Sequence, residues 1–321
     1  MKVGLYSISY AGLWYKGRAL SVEELISRAA EYGFEGIELD GRRPHGFPLD
    51  FDAQRREKIR DLAESKGVEI VGIAGNNNFV RPILEQRENE LLMLAEQIKL
   101  AHDLGGKIVR TYFAWRGVTV IDGIGNYNIP IKYDIDHLYP DTTRLQQWKW
   151  AKECLKEAAE IAEKYGVTLA LQNHAPLVSS YRDILAMVKQ VDSDHLKCSV
   201  DCSCLMSQDN DHVRKAVKET GDLEVISHFG NEYKRDENGE VVQREVFEPP
   251  PSVGVEGPMG HPLVNYPTFV KALLEIGYNG YINYELCHPV LTEDYEIADI
   301  KRVNEQVQFA LEYMRNLVCN T

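Results

Sequence analysis

The feature that most restricts the fold of this chain is a short phrase repeated along it: an amphipathic helical stretch, a glycine, then a run rich in Val, Ile and Tyr. It reads AAEYGFEGIELD, AESKGVEIVGIAG, HDLGGKIVRTYF, AEKYGVTLALQNH and LEIGYNGYINYEL. Glycine readily takes the left-handed conformation that ends a helix. The unbroken apolar run behind it suits a strand buried on both faces. Adding KVGLYSIS, LKCSVDCS and LEVISHFG places strands at about residues 3, 37, 71, 109, 169, 199, 226 and 283. Helical patterns fill the intervals, at roughly 21–32, 51–66, 83–104, 143–165, 180–190, 209–220, 267–276 and 294–317. Eight strand–helix units predict an α/β fold of the (β/α)8 TIM barrel type rather than an open doubly wound sheet. A chain of 321 residues is ample for one such core, and no linker or low-complexity tract interrupts it, so one domain over 1–321 is expected.

Two connections in this pattern are long, about 30 residues after the fourth strand and about 35 after the seventh. Loops of that length usually cover a site or meet a partner. The second contains RDENGEVVQREV, whose Asn-Gly between polar and β-branched residues predicts a hairpin.

The net charge of −13 argues against a phosphate-backbone footprint, which needs clustered Lys and Arg, so no nucleic-acid partner is expected. Met1 leads directly into an apolar strand, and no stretch has membrane-spanning length, so a cytoplasmic protein without a membrane partner is expected. The six cysteines do not form a disulfide-scaffold pattern in a chain this long, and Cys202 and Cys204 are spaced C-x-C. They are read as ordinary reduced thiols.

In a barrel of this type the chemistry lies at the C-terminal ends of the strands. The last four ends carry Gln172, Asp201, His228 and Glu285. Neighbouring strands are about 4.8 Å apart, so these side chains can converge on one point. Carboxylate, imidazole and amide donors together suit Mn²⁺, Mg²⁺, Co²⁺ or Fe²⁺ better than structural zinc. Taken singly, each residue has another reading: Asp201 and Glu285 as helix caps or ion-pair partners, His228 as a hydrogen-bonded histidine. Their joint placement is what points to a divalent metal able to polarise a carbonyl or diol. Arg110 and Glu38, also on strands, read as an interior ion pair or as contacts to substrate hydroxyls.

The stretches GFEGIEL, GVTLALQNH, SVDCS, VISHFG and GPMGHPLVNYPTFVKALLEIGYNGYINYEL resemble the xylose-isomerase-like barrel superfamily of sugar isomerases and epimerases, which includes endonuclease IV relatives. The likeness spans almost the whole chain. Relatives of the ketose 3-epimerase type carry glutamate, Asp, His and Glu at these four strand ends, so the resemblance implies a metal held by Asp201, His228 and Glu285, with Gln172 as the fourth ligand in the place of the glutamate. A glutamine can ligate through its carbonyl oxygen but cannot accept a proton. Epimerisation by a pair of glutamates on opposite faces of the sugar is therefore in question. One base and a stabilised enolate still suffice for elimination.

Within the superfamily the chain resembles the catalytic subunits of C-glycoside deglycosidases. That resemblance implies a metal-dependent carbon–carbon lyase acting on a 3-oxo-C-glycoside, with Mn²⁺ as the expected metal, Mg²⁺ or Co²⁺ as substitutes, a small β-rich companion subunit and an oligomeric assembly. The aromatic fourth loop would then offer Tyr127, Tyr133 and Tyr139 to a flat aglycone. His137, with Asp134 or Asp136 to orient it, is the acid/base candidate there; its alternative is a surface-loop histidine. Glu285 and His174 are further catalytic candidates, with His174 otherwise a hydrogen-bonder bracing its loop, and His261 is similar. Two other readings stay open: a ketose isomerase or 3-epimerase with a different proton path, and a non-catalytic sugar-binding barrel. Endonuclease chemistry is disfavoured, because the ligands of a three-zinc cluster are missing.

Overall fold

A computed structural model describes residues 1–137, 141–178, 180–248, 259–261 and 263–319. Eight parallel strands run in the order β6-β5-β4-β3-β2-β1-β8-β7. They are β1 (Lys2–Tyr6), β2 (Gly36–Asp40), β3 (Glu69–Ala74), β4 (Ile108–Thr111), β5 (Thr168–Gln172), β6 (Leu196–Ser199), β7 (Ile226–Phe229) and β8 (Tyr281–Tyr284). Each matches a strand expected from the sequence, and the fold is a (β/α)8 barrel. The helices that cover the sheet are α1 (Val22–Tyr32), α2 (Ala53–Lys66), α3 (Leu84–Asp103), α4 (Arg144–Tyr165), α5 (Tyr181–Val191), α6 (Asn210–Thr220), α7 (Tyr266–Glu275) and α8 (Ile300–Cys319).

Local chemistry sets their ends. Ser21 caps α1 and Thr143 caps α4, each in a reciprocal box with Glu24 or Gln146 three residues on. Gly67 and Gly166 end α2 and α4 at φ 67° and 62°, a backbone conformation costly for other residues. The last helix starts at Ile300, not near 294, because Leu291 and Ile297 pair in a short bridge first.

Ladder pairing is unbroken from β6 round to β7, but the barrel closes between those two strands differently. There the main chain contributes a bridge between Cys198 and Glu224 and one bond, from the Val225 N–H to the Cys198 carbonyl at 3.1 Å. Side chains do the rest: the Glu224 carboxylate accepts from the Val200 N–H at 2.9 and 3.0 Å, and Ser227 Oγ donates to the Val200 carbonyl at 2.8 Å. Burial pushes the Glu224 carboxyl well above the usual range, although the Val200 N–H favours its charged form.

The connection after β4 holds more structure than its sequence suggests. Thr119–Ile121 and Ile124–Asn126 form an antiparallel hairpin, with Asp122 and Gly123 at φ 50° and 83°, and a helix follows over Asn128–His137. After β7, Glu232–Arg235 pairs with Val241–Arg244 as the expected hairpin, and Val246–Glu248 pairs with Met259–His261. Among the described residues no helix is long and apolar enough to cross a membrane, and the described cysteines are free thiols.

Candidate metal centre and active site

The strand ends bring three potential ligands together. Asp201 lies two residues beyond β6, His228 is within β7, and Glu285 directly follows β8. Their ligand atoms all lie within 4.8 Å of one another. Asn173, one residue past β5, holds Asp201 in place: its Oδ1 accepts from the Asp201 N–H at 2.8 Å and its Nδ2 donates to the Asp201 carbonyl at 3.2 Å. Glu285 is set by its own N–H, which donates to the Phe229 carbonyl at 2.8 Å.

The imidazole of His228 is buried between two carboxylates, with Nδ1 3.1 Å from Asp201 Oδ1 and Nε2 2.6 Å from Glu38 Oε2. Burial and Arg110 act to lower its affinity for a proton, but Glu38 and Asp201 outweigh them and raise it to about 9. The Glu285 carboxyl is raised by burial, against the pull of Arg110 and His228, with Asp201 adding to the rise. Two carboxylates and an imidazole packed this closely, with negative charge in excess, have the chemistry of a divalent-cation site; an imidazole gives up its ring proton when it ligates.

Arg110, fully buried on β4, organises the floor of this centre. Its Nε donates to Glu38 Oε1 at 3.0 Å, its Nη1 to Gln172 Oε1 at 3.0 Å, and Nη1 lies 3.4 Å from Glu285 Oε2. The Tyr6 ring lies 4.4 Å below the guanidinium, and Nη2 is buried without a hydrogen-bond partner among the described residues. Burial alone would raise the Glu38 carboxyl; Arg110 and His228 prevail and hold it at about 2. Asn283 Nδ2 completes the shell of Glu38 at 3.0 Å. Gln172, buried at the end of β5, donates from Nε2 to Asp201 Oδ2.

The remaining candidates scatter. His174 is half-buried at the mouth, edge-on to Tyr112 and Trp115 at 5.6 and 5.4 Å, and burial lowers its affinity for a proton. Tyr127 packs against Trp14 and Trp115. His137 is exposed on the helix of the β4 loop, stacked on the exposed Tyr133, with Nδ1 bonded to the Tyr133 carbonyl at 2.9 Å. That bond replaces the expected orientation by Asp134 or Asp136: Asp134 is buried, with Oδ2 unpartnered among the described residues, and Asp136 is exposed. Tyr139 lies outside the described residues, as does the side chain of His261.

One cluster at the mouth was not anticipated. The buried Asp40 carboxylate, ending β2, accepts from Tyr6 OH (2.8 Å), from the N–H, Nε and Nη2 of Arg42 (3.0, 2.9 and 2.7 Å), and from Asn76 Nδ2 (3.1 Å). It holds the Arg42 guanidinium 5.7 Å from the Trp115 ring centre. The signal was present, since IELD ends a strand on a carboxylate as the later strands do.

A profile described as the xylose isomerase-like TIM barrel matches residues 26–317. Fructoselysine 3-epimerase of Escherichia coli O157:H7 is 26% identical over 206 residues, which is 63% of this chain and 66% of that protein. The C-glycoside deglycosidase alpha subunit of Microbacterium trichothecenolyticum is 29% identical over 189 residues, 58% of this chain and 41% of that subunit. The alignments therefore span less than two thirds of either relative. Among solved structures, D-psicose 3-epimerase of Clostridium cellulolyticum H10 superposes with a TM-score of 0.70 at 18% identity, covering 99% of both chains.

Proposed function

The chain belongs to the xylose isomerase-like TIM barrel family, and from that premise we propose that it is a metal-dependent carbon–carbon lyase acting on an oxidised C-glycoside. Asp201, His228 and Glu285 would hold the cation, Mn²⁺ in the first instance. When bound, such a cation supplies Lewis acidity that favours loss of a proton beside a ketone.

The observation that carries this reading is the scarcity of free bases. Proton exchange on both faces of a sugar needs two groups that change protonation state. Gln172 cannot do so, and Glu38 is locked as a carboxylate by Arg110, His228 and Asn283. Among the strand-end groups that leaves Glu285, whose side chain is 20% exposed at the mouth and lies 3.4 Å from Arg110 Nη1. On a 3-oxo-glucoside, Glu285 would take the proton from C2. The electron pair forms the enolate, then moves to make C1=C2 as the bond from C1 to the aglycone breaks. The aglycone carbon leaves with the bonding pair and must gain a proton, for which His174 is the nearer candidate. The products are free aglycone and an unsaturated keto sugar.

Likeness to a deglycosidase alpha subunit adds a companion subunit to the proposal. Exposed Val120, Ile121, Ile129 and Ile135 on the β4 loop are the surface on which to look for it. The 3-epimerase relatives support a second reading, a ketose isomerase or 3-epimerase that inverts C3 with a base from outside the four strand ends. Incubation with Mn²⁺ in D₂O, with a 3-oxo-C-glucoside and separately with ketohexoses, tests both. Aglycone release supports the lyase. A deuterated C3 epimer without release would replace it with the second reading.

A further inference from the structure

Gln172 stands where the neighbouring strand ends offer lone pairs, but an amide has two unlike ends, and its surroundings dictate which way each one faces. On one side is Arg110, whose guanidinium has donors only; its Nη1 is 3.0 Å from Gln172 Oε1. On the other is the carboxylate of Asp201, whose Oδ2 accepts from Gln172 Nε2. Turning the amide over would set N–H against N–H on one side and oxygen against oxygen on the other, in a buried place where neither clash could be relieved by water. Arg110 cannot swing away to allow it, being fully buried, paired to Glu38 through Nε and stacked on Tyr6.

We propose that Gln172 is a positioning residue and not a metal ligand: its oxygen is committed to Arg110, its N–H fixes Asp201 Oδ2, and a divalent cation here is held by Asp201, His228 and Glu285 alone. The inference rests on the metal site proposed above and departs from the expectation that all four strand ends ligate. It leaves one more coordination position for substrate oxygens or water than a four-ligand centre would. It also makes Arg110 the residue that decides the donor set, through an amide it holds in one orientation.

The test counts waters on Mn²⁺ bound to the whole protein, by electron spin-echo modulation in D₂O, in the wild type and in Gln172→Leu, which removes both ends of the amide. The expected result is the same count in both, with Mn²⁺ affinity from calorimetry weakened about tenfold by the loss of the hydrogen bond that orients Asp201. One extra water in the variant would mean that Gln172 oxygen had been on the ion, and overturns the proposal. Unchanged affinity would remove the positioning role. Should the leucine variant not fold, a Mn²⁺-loaded crystal structure of the wild type decides instead. Gln172 Oε1 at an oxygen-ligand distance, roughly 2.0–2.6 Å, refutes the proposal, and Oε1 still on Arg110 supports it. Absence of any Mn²⁺ binding refutes the metal reading and this inference with it, whereas a different product from the sugar assay leaves the water count untouched.

Discussion

Replacing Asp40 by Asn is an electrostatic experiment at almost constant volume. Burial by itself would raise the Asp40 carboxyl, but Arg42 and the Tyr6 hydroxyl prevail and hold it at about 2, against an ordinary 3.8. That difference corresponds to about 2 kcal/mol of native-state stability at neutral pH. Asparagine also turns a donor toward one side of a shell made entirely of donors. The Tyr6 hydroxyl can reverse to accept it, but Arg42 Nη2 cannot, which adds about 1–2 kcal/mol. The Asn variant should therefore be about 3–4 kcal/mol less stable in urea at pH 7. Because the folded carboxyl lies below its unfolded value, the charge contribution is complete above about pH 4 and is lost as the pH falls toward 2. At pH 3 the gap between wild type and variant should be narrower by about 1 kcal/mol. A gap below about 1 kcal/mol at pH 7, or one that does not narrow in acid, would refute the reasoning.

Chelation should abolish turnover of a 3-oxo-C-glucoside and Mn²⁺ should restore it; full activity in protein verified metal-free by elemental analysis would sink the proposed mechanism. His174→Ala should lower kcat by about 10²-fold or more and His137→Ala by less than about threefold, because only the first is packed at the mouth; the reverse order in steady-state kinetics would move the acid/base role to the loop helix. Gly72→Ala should lower the urea midpoint by the equivalent of about 2 kcal/mol or more, since a Cβ at that position would sit 1.9 Å from the Ile108 carbonyl oxygen, on main chain that cannot yield; a stability equal to wild type would mean that β3 and β4 can part.

The barrel was legible because its information is periodic: helix, glycine and buried apolar run recur, and each strand forms where the apolar run stands. The convergence of Asp201, His228 and Glu285 could be read for the same reason, since strand ends in a barrel face one place. The Arg110–Glu38 pair was also legible as an interior ion pair, but the sideways partners of the strand-five amide were not. Nothing in LALQNH tells that Gln172 meets Arg110 from one side and Asp201 from the other, because those partners are 62 and 29 residues away. The ring of His137 shows the opposite case. Its neighbours in YDIDH suggested an imidazole oriented by a carboxylate, but once the segment is helical the carbonyl of Tyr133, one turn back, takes the ring nitrogen. The hairpin over 119–126 had a usable signal, Asp-Gly between β-branched residues, of the kind recognised in the other insertion.

The join between β6 and β7 gives the proposed cation a mechanical meaning. Asp201 stands just past one lip of that join and His228 on the other, so an ion gripped by both would work as a fastener where the main chain supplies least. Loading the site at a hundred times its dissociation constant would then stabilise the fold by about 2.7 kcal/mol. Amide hydrogen exchange should slow first along Leu196–Ser199 and Ile226–Phe229 rather than evenly around the ring. On that account apo protein would open along a single stave, and the residues chosen for chemistry would also be those that keep the cask tight.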